Sequence, residues 1–418
     1  MPRYWQTAPV RPATPPELHT RAVDLPEWLQ RLLYLLLLGS ALISVVYVGE
    51  FSPLPMTGLL DAWVLLVAGW ILLRGRIIAP LTLIVLAAYI GTRILGALFE
   101  QPPLEDLLQA HRWLVYLVVF AMARGHRWSR TDLLHRLAWW LIGLATVKSL
   151  LTAVFVGPDQ RPGLFLENNF ELALFTALAA VVHRQNAPHR ILLVVLLGVL
   201  TVLSGSRSGA LTYLVLVVYT LWSSRTTDVF LKYLAGLVPV AAAAIPWLIF
   251  QARSAESQVI DRVHFFEVLQ KETANWGWTE RLYGTPPITP LSAGACEELA
   301  YYERLFSTAG DGRCYSVILH SFAMRLYYDG GVLALLLAVI VPIVVMHMSR
   351  VSWALIIALM AIATINSLSV SGLNNPYVAL PILLAVLTAP GLEKVSPQLE
   401  ASRRPPIQPY VPHEGAFR

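Results

Sequence analysis

Charge is scarce in this chain. Of 418 residues, 14% are Asp, Glu, Lys or Arg, where an average soluble protein has about one quarter. No long polar stretch offers a soluble domain, so length alone gives no count of globular domains. Only two cysteines are present. There is no P-loop, so no nucleotide is expected to drive a reaction, and no Asp-x-Asp or His-Glu-x-x-His, so no metal site is expected. The alternation of apolar and polar positions that a membrane barrel needs is missing. No internal repeat is found, which weighs against a transporter with duplicated halves. No cleavage-site pattern precedes the first apolar run, so that run itself is expected to target the chain.

What is present is 56% hydrophobic sequence, gathered into runs near the length that crosses a bilayer. They cover 31–49, 57–73, 77–99, 107–123, 137–156, 169–183, 191–204, 209–222, 233–251, 331–348, 351–369 and 377–390. Backbone polar groups in hydrocarbon must be satisfied within each run, so helices are expected. The expectation is an all-α polytopic membrane protein of about twelve transmembrane helices. It divides into an N-terminal segment 1–30, helices one to nine over 31–251, a large outer loop 252–330 with short helices, helices ten to twelve over 331–390, and a disordered tail 391–418.

Basic residues set the orientation. The even gaps hold Arg74, Arg76, Arg124, Arg127, Arg130, Arg136, Arg184, Arg190, Arg225, Lys232 and Arg350, and the short odd gaps only Arg112, Arg161 and Arg207. Even gaps and both termini are therefore expected in the cytoplasm. The net charge of +5 follows from this pattern, and nucleic acid is not an expected partner. Cys296 and Cys314 share the long outer loop, where an oxidising compartment favours a disulfide; two unrelated thiols is the other reading.

Arginines on the outer side run against the charge bias. Arg161 stands in R-P-G-L-F-L-E-N-N, Arg207 in G-S-R-S-G, and Arg262 in I-D-R-V-H-F-F-E. A guanidinium binds phosphate bidentately and stays charged, and small neighbours such as Ser206 let a bulky headgroup approach the backbone. The competing account is snorkelling to lipid phosphate. G-S-R-S-G also has the outline of a nucleophile elbow, but Arg stands where Ser is needed. Charges inside the runs, Lys148, Arg93 and Asp61, are either functional or structural pairs. His320, in V-I-L-H-S-F-A-M-R-L-Y-Y-D-G-G, can accept a proton near neutral pH on the same side as these arginines. His264 and His111 are its rivals.

These residues carry a resemblance to the O-antigen ligase and polymerase superfamily of bacterial inner-membrane glycosyltransferases. Its ligases have a His followed by Asn, Ser or Gln, nine residues, Gly, two residues, then Gly, Thr or Tyr. Here stand His320, Ser321, nine residues, Gly331, two residues and Ala334, which departs at the last position. S-R-S-G resembles the family's loop bearing its first essential arginine, at Arg207. R-V-H-F-F-E followed by E-R-L-Y-G resembles the start of its large periplasmic loop, with Arg262. R-P-G-L-F-L-E-N-N resembles its Arg-x-Gly-x-x-x-x-Asn element, with Arg161, Gly163 and Asn168 or Asn169. The likeness covers approximately 30–390.

The resemblance implies lipopolysaccharide biosynthesis at the periplasmic face of the inner membrane. A glycan would leave undecaprenyl pyrophosphate for a hydroxyl of lipid A–core or another glycan acceptor, with inversion and without metal or cofactor. Arg207, Arg262 and His320 would be catalytic. Arg161, Asn168, Asn169, Ser206 and Ser321 would bind substrate. The single large loop favours the ligase branch. A polymerase that uses a lipid-linked repeat as acceptor is the alternative, and a membrane transporter is the alternative from another class.

Overall fold

The structure, a computed structural model, describes residues 22–74, 77–100, 103–157, 163–166, 168–185, 189–223, 261–305, 307 and 313–389. Helices dominate: α1 (Glu27–Val46), α2 (Met56–Arg74), α3 (Pro80–Glu100), α4 (Leu104–Ala123), α5 (Thr131–Phe155), α6 (Asn168–Arg184), α7 (Arg190–Ser204) and α8 (Arg207–Ser223). After the undescribed 224–260 come the short helices α9 (Asp261–Thr273), α10 (Trp278–Tyr283) and α11 (Ala293–Glu298). The chain then continues through α12 (Phe322–Met348), α13 (Trp353–Ser369) and α14 (Pro376–Leu387). Two-residue strands β1 (Val23–Asp24) and β2 (His126–Arg127) pair in parallel, Val23 opposite His126.

Every expected apolar run except the ninth falls on one of these helices; the ninth, 233–251, lies outside the described residues, as do the segment 1–21 and the tail 391–418. Five helices, α1, α2, α3 over Pro80–Phe99, α5 and α12, are long and apolar enough to cross a membrane. α7, α13 and α14 are apolar but shorter. The chain has the make-up of an all-α membrane protein.

Helices that are apolar on every face belong in the middle of a bundle. α6 is buried continuously from Phe170 to His183, and every residue of α14 is buried. The two pack on each other, with α8 and α13 also against α6. α14 begins where Asn375 accepts a hydrogen bond from Tyr377 N–H (3.0 Å) and Pro376 takes the first turn, a position where its missing N–H costs nothing. α3 lies at the edge, with 17% of its apolar window buried.

Contacts between connections sort them into two ends. At one end Val23 N–H donates to the Gly125 carbonyl, Trp128 N–H to Leu387 (2.7 Å) and Arg184 to Arg350 (3.1 Å). These are the chain start, the even gaps and the end of α14. At the other end the odd gaps meet: Lys148 reaches the carbonyls of Glu50 (2.6 Å) and Gly163 (2.9 Å), Asn374 reaches Gln109 (2.7 Å), and Arg93 reaches Thr285 (2.9 Å).

α12 is two helical segments joined across Gly331, whose backbone is not helical (φ 64°, ψ −163°). The break falls where the apolar run begins, and the segment before it, from Phe322, carries Arg325, Tyr327, Tyr328 and Asp329.

Candidate functional site

The last turn of α13 is the point where the predicted site segments meet. Arg262, at the start of α9, donates from Nε to the Ser369 carbonyl (3.1 Å) and from Nη2 to Ser369 Oγ (3.0 Å). Ser321 Oγ donates to the Ser367 carbonyl (3.0 Å), and Phe322 N–H to Val370 (2.8 Å). Asn366 Nδ2 donates to the Asn169 carbonyl (3.1 Å) at the start of α6. Asn169 Oδ1 in turn accepts from Ser206 Oγ (2.6 Å) and Ser208 Oγ (3.0 Å), the two neighbours of Arg207. Asn169, Arg262, Ser321 and Phe322 thus bond directly to the stretch 366–370, and Ser206 and Ser208 join it through Asn169.

Arg207 opens α8. Gly205 ends α7 in the left-handed region (φ 56°), and Ser206 Oγ accepts from Gly209 N–H (3.0 Å), capping α8. The turn between two helices is therefore only two residues long, and it holds Arg207, half-buried, at a helix N-terminus. Exposed N–H groups and the helix dipole add positive potential there.

His320 follows the 3₁₀ turn Ser316–Leu319 with φ 52° and ψ −32°. A histidine in this region is uncommon, and such outliers gather at functional sites. Its ring packs against Phe265 (5.2 Å between centroids) and Tyr302 (5.7 Å), which also touch each other (5.2 Å). Ser321 serves as cap of α12, accepting from Met324 N–H (3.5 Å). Cys296 and Cys314 form a disulfide (Cα–Cα 5.7 Å). It fastens α11 to the strand-like segment that leads into His320.

Arg161 lies outside the described residues. Asn168 is the first residue of α6. The connection between them is held firmly: Glu171 accepts backbone N–H groups from Leu164 (2.6 Å), Phe165 and Leu166 (2.6 Å). Lys148 is fully buried and donates to Ser44 Oγ (2.7 Å) as well as to Gly163. A Cβ at Gly163 would strike the Leu166 carbonyl and Glu171 Oε1 (2.8 Å). Lys148 thus has a structural account, as the support of this connection. Asp61 has one too, pairing with Arg112 (3.2 Å) and accepting from the Tyr116 hydroxyl. Arg93 ties the end of α10 to the first segment of α12 through the carbonyls of Tyr283 (3.4 Å), Thr285 (2.9 Å) and Asp329.

His264 Nδ1 lies 3.7 Å from Glu298, whose carboxyl is held below the usual range by a hydrogen bond from Lys271. His111 bonds its own helix through the Leu107 carbonyl (3.0 Å). Two residues outside the sequence-derived site come forward, Arg325 and Asp329. They stand five and nine positions after His320 in a quoted segment. A charged pair at i, i+4 beside an apolar run was the signal that could have marked them.

The motif glycine has a physical reason. At Gly331 a Cβ would come within 2.5 Å of the Leu282 carbonyl group and 2.6 Å of Gly284 N. Two backbones cross here, and the kink has positive φ. Ala334, three residues on, is fully buried, so the departing position sits where only a small side chain fits beside Gly330. No family model matches the chain, and no curated protein or solved structure matches it.

Proposed function

We propose that this protein is a glycosyltransferase of the O-antigen ligase kind, with about twelve membrane-spanning helices and its site on the periplasmic side of the bacterial inner membrane. The observation that carries the reading is the convergence on residues 366–370. The connections bearing Arg207, Arg262 and His320 are far apart in sequence, yet hydrogen bonds tie all three to one turn of α13.

In this reading a glycan arrives on undecaprenyl pyrophosphate. Arg207 and Arg262 offer preorganised positive charge where the pyrophosphate departs, which stabilises charge that develops in the transition state. His320 takes the proton of the attacking hydroxyl. The hydroxyl oxygen bonds to the anomeric carbon as the carbon–oxygen bond to pyrophosphate breaks, and one displacement inverts that centre. Asn169, Ser206 and Ser321 support the reacting groups by fixing the turns that carry Arg207 and His320. Arg161, two residues before Gly163 in the sequence, is the third candidate for binding the donor.

The test is gene deletion with surface glycan read on a gel. Loss of glycan from lipid A–core, with lipid-linked polymer accumulating, supports the ligase. Products of one repeat support a polymerase, and unchanged glycan overturns both. His320→Ala and Arg207→Ala are expected to restore membrane protein but no transfer; full activity of either variant removes that residue from the mechanism.

A further inference from the structure

The outer loop reaches down beside α3. Arg93, inside that helix, donates to the carbonyls of Tyr283 (3.4 Å) and Thr285 (2.9 Å), at and just after the end of α10. A Cβ at Gly96 would meet Pro287 Cδ at 2.8 Å. Depth follows from helix geometry. α3 ends at Glu100. At a rise of about 1.5 Å per residue, Arg93 and Gly96 stand roughly 10 Å and 6 Å short of that end. Arg93 has a long side chain that could reach upward, but Gly96 has none, so the loop itself comes down to it. The whole helix is about 30 Å long, the thickness of a hydrocarbon core with little to spare. A contact that far from its end lies within the leaflet nearest the odd connections, the outer one by charge bias.

What the loop presents near this depth is aromatic. Trp278 and Tyr283, the first and last residues of α10, are 77% and 53% exposed. Rings of both kinds favour the boundary between hydrocarbon and water, where an apolar body and a polar N–H or O–H are both satisfied. The neighbouring surface of α3 is exposed and apolar, with Ile94, Leu95, Leu98 and Phe99. It belongs to a helix with the length and composition of a membrane span. α10 therefore continues a lipid-facing surface. The end of α9 and the start of α11 are unlike it. There Lys271 pairs with Glu298 (2.8 Å), and Glu272 accepts from Ser292 N–H (3.0 Å), a charged surface suited to water.

We propose that α10 is an interfacial anchor, seated at the level of the lipid headgroups with the Trp278 and Tyr283 rings in the bilayer surface. Arg281, exposed between them, lays its stem along the acyl chains and turns its charge to lipid phosphate. The partner is the bilayer itself. A soluble partner for the same rings would need them in water, above the end of α3, and the contact at Gly96 puts the loop lower. The inference needs α3 to lie in a membrane and does not need glycosyl transfer. Its consequence is mechanical. α10 packs on α12, and the loop after it crosses Gly331. The membrane surface therefore sets the height of the first segment of α12, which begins two residues after His320.

Both cysteines are in the disulfide, so a cysteine introduced elsewhere is the one free thiol. Trp278→Cys, Tyr283→Cys, Ile94→Cys and Gln270→Cys, each in the full-length protein in nanodiscs, are labelled with a polarity-sensitive fluorophore. Each α10 variant keeps the other ring, and thermal melting confirms that the labelled proteins are folded. The quenchers are lipids with a nitroxide near the headgroup or near the chain end, and iodide in the water. The two α10 labels are expected to emit to the blue of the Gln270→Cys label. They are expected to lose most of their emission to the headgroup-level nitroxide, less to the deep one, and little to iodide. Quenching of both by iodide, with no loss to either lipid, overturns the anchor and frees the rings for a soluble partner. The Ile94→Cys label separates two failures. Lipid quenching there, with the α10 labels in water, sinks the anchor alone. Water at Ile94→Cys sinks the membrane reading of α3 together with it.

Discussion

Gly331 has two reasons to be glycine, and they are separable by mutation. Its φ of 64° suits a residue without Cβ, and the Leu282 carbonyl group would stand 2.5 Å from any Cβ added there. Gly331→Ala is expected to cost about 1–3 kcal/mol from the backbone conformation alone, with further loss from the displaced loop. Thermal unfolding in detergent checks it, and a variant that melts with the unaltered protein would refute the crossing of backbones seen here. At this scale the sequence was only partly readable. Outward arginines and His320 were visible because they break a bias or match a pattern. Lys148 was ambiguous until its partners were seen: a hydroxyl and two backbone carbonyls, groups that no pattern of side chains announces. Arg325 and Asp329 passed unmarked because they stand beside a run rather than within it.

Helices were legible because each must satisfy its own backbone and show a run of apolar side chains. Their junctions were not. A separate helical segment from Phe322 precedes the apolar run of α12, and the break between them falls at Gly331. The last turn of α13 gave no sign of being an anchor; Asn366, Ser367 and Ser369 are ordinary residues whose importance lies in three partners from elsewhere, Asn169, Ser321 and Arg262. The disulfide was expected from compartment and count, and the structure places it next to the segment that ends in His320. Cys296→Ser or Cys314→Ser opens a loop with a sequence separation of 18. By chain entropy that is expected to cost about 3 kcal/mol, and the measure is the melting shift between oxidised and reduced protein. A shift seen equally in Cys296→Ser protein on adding reductant would place the effect elsewhere.

Among the described residues, odd connections gather at one end and even connections at the other, as expected of successive helices that cross and return. Charge bias then predicts which end faces out. Asn275→Cys is expected to react with a membrane-impermeant maleimide in intact cells, and Arg127→Cys only after the membrane is opened. The reverse pattern would invert the orientation and remove the periplasmic site. The crossing of Gly284 over Gly331 bears on how anything could reach that site. Main chain lies directly on main chain there, Arg93 clamps the same spot through three carbonyls, and the disulfide fastens the strand that follows. At this point the loop is pinned main chain to main chain. On the proposed reading, a donor with a long hydrocarbon tail enters sideways between helices, because this point of the fold is pinned.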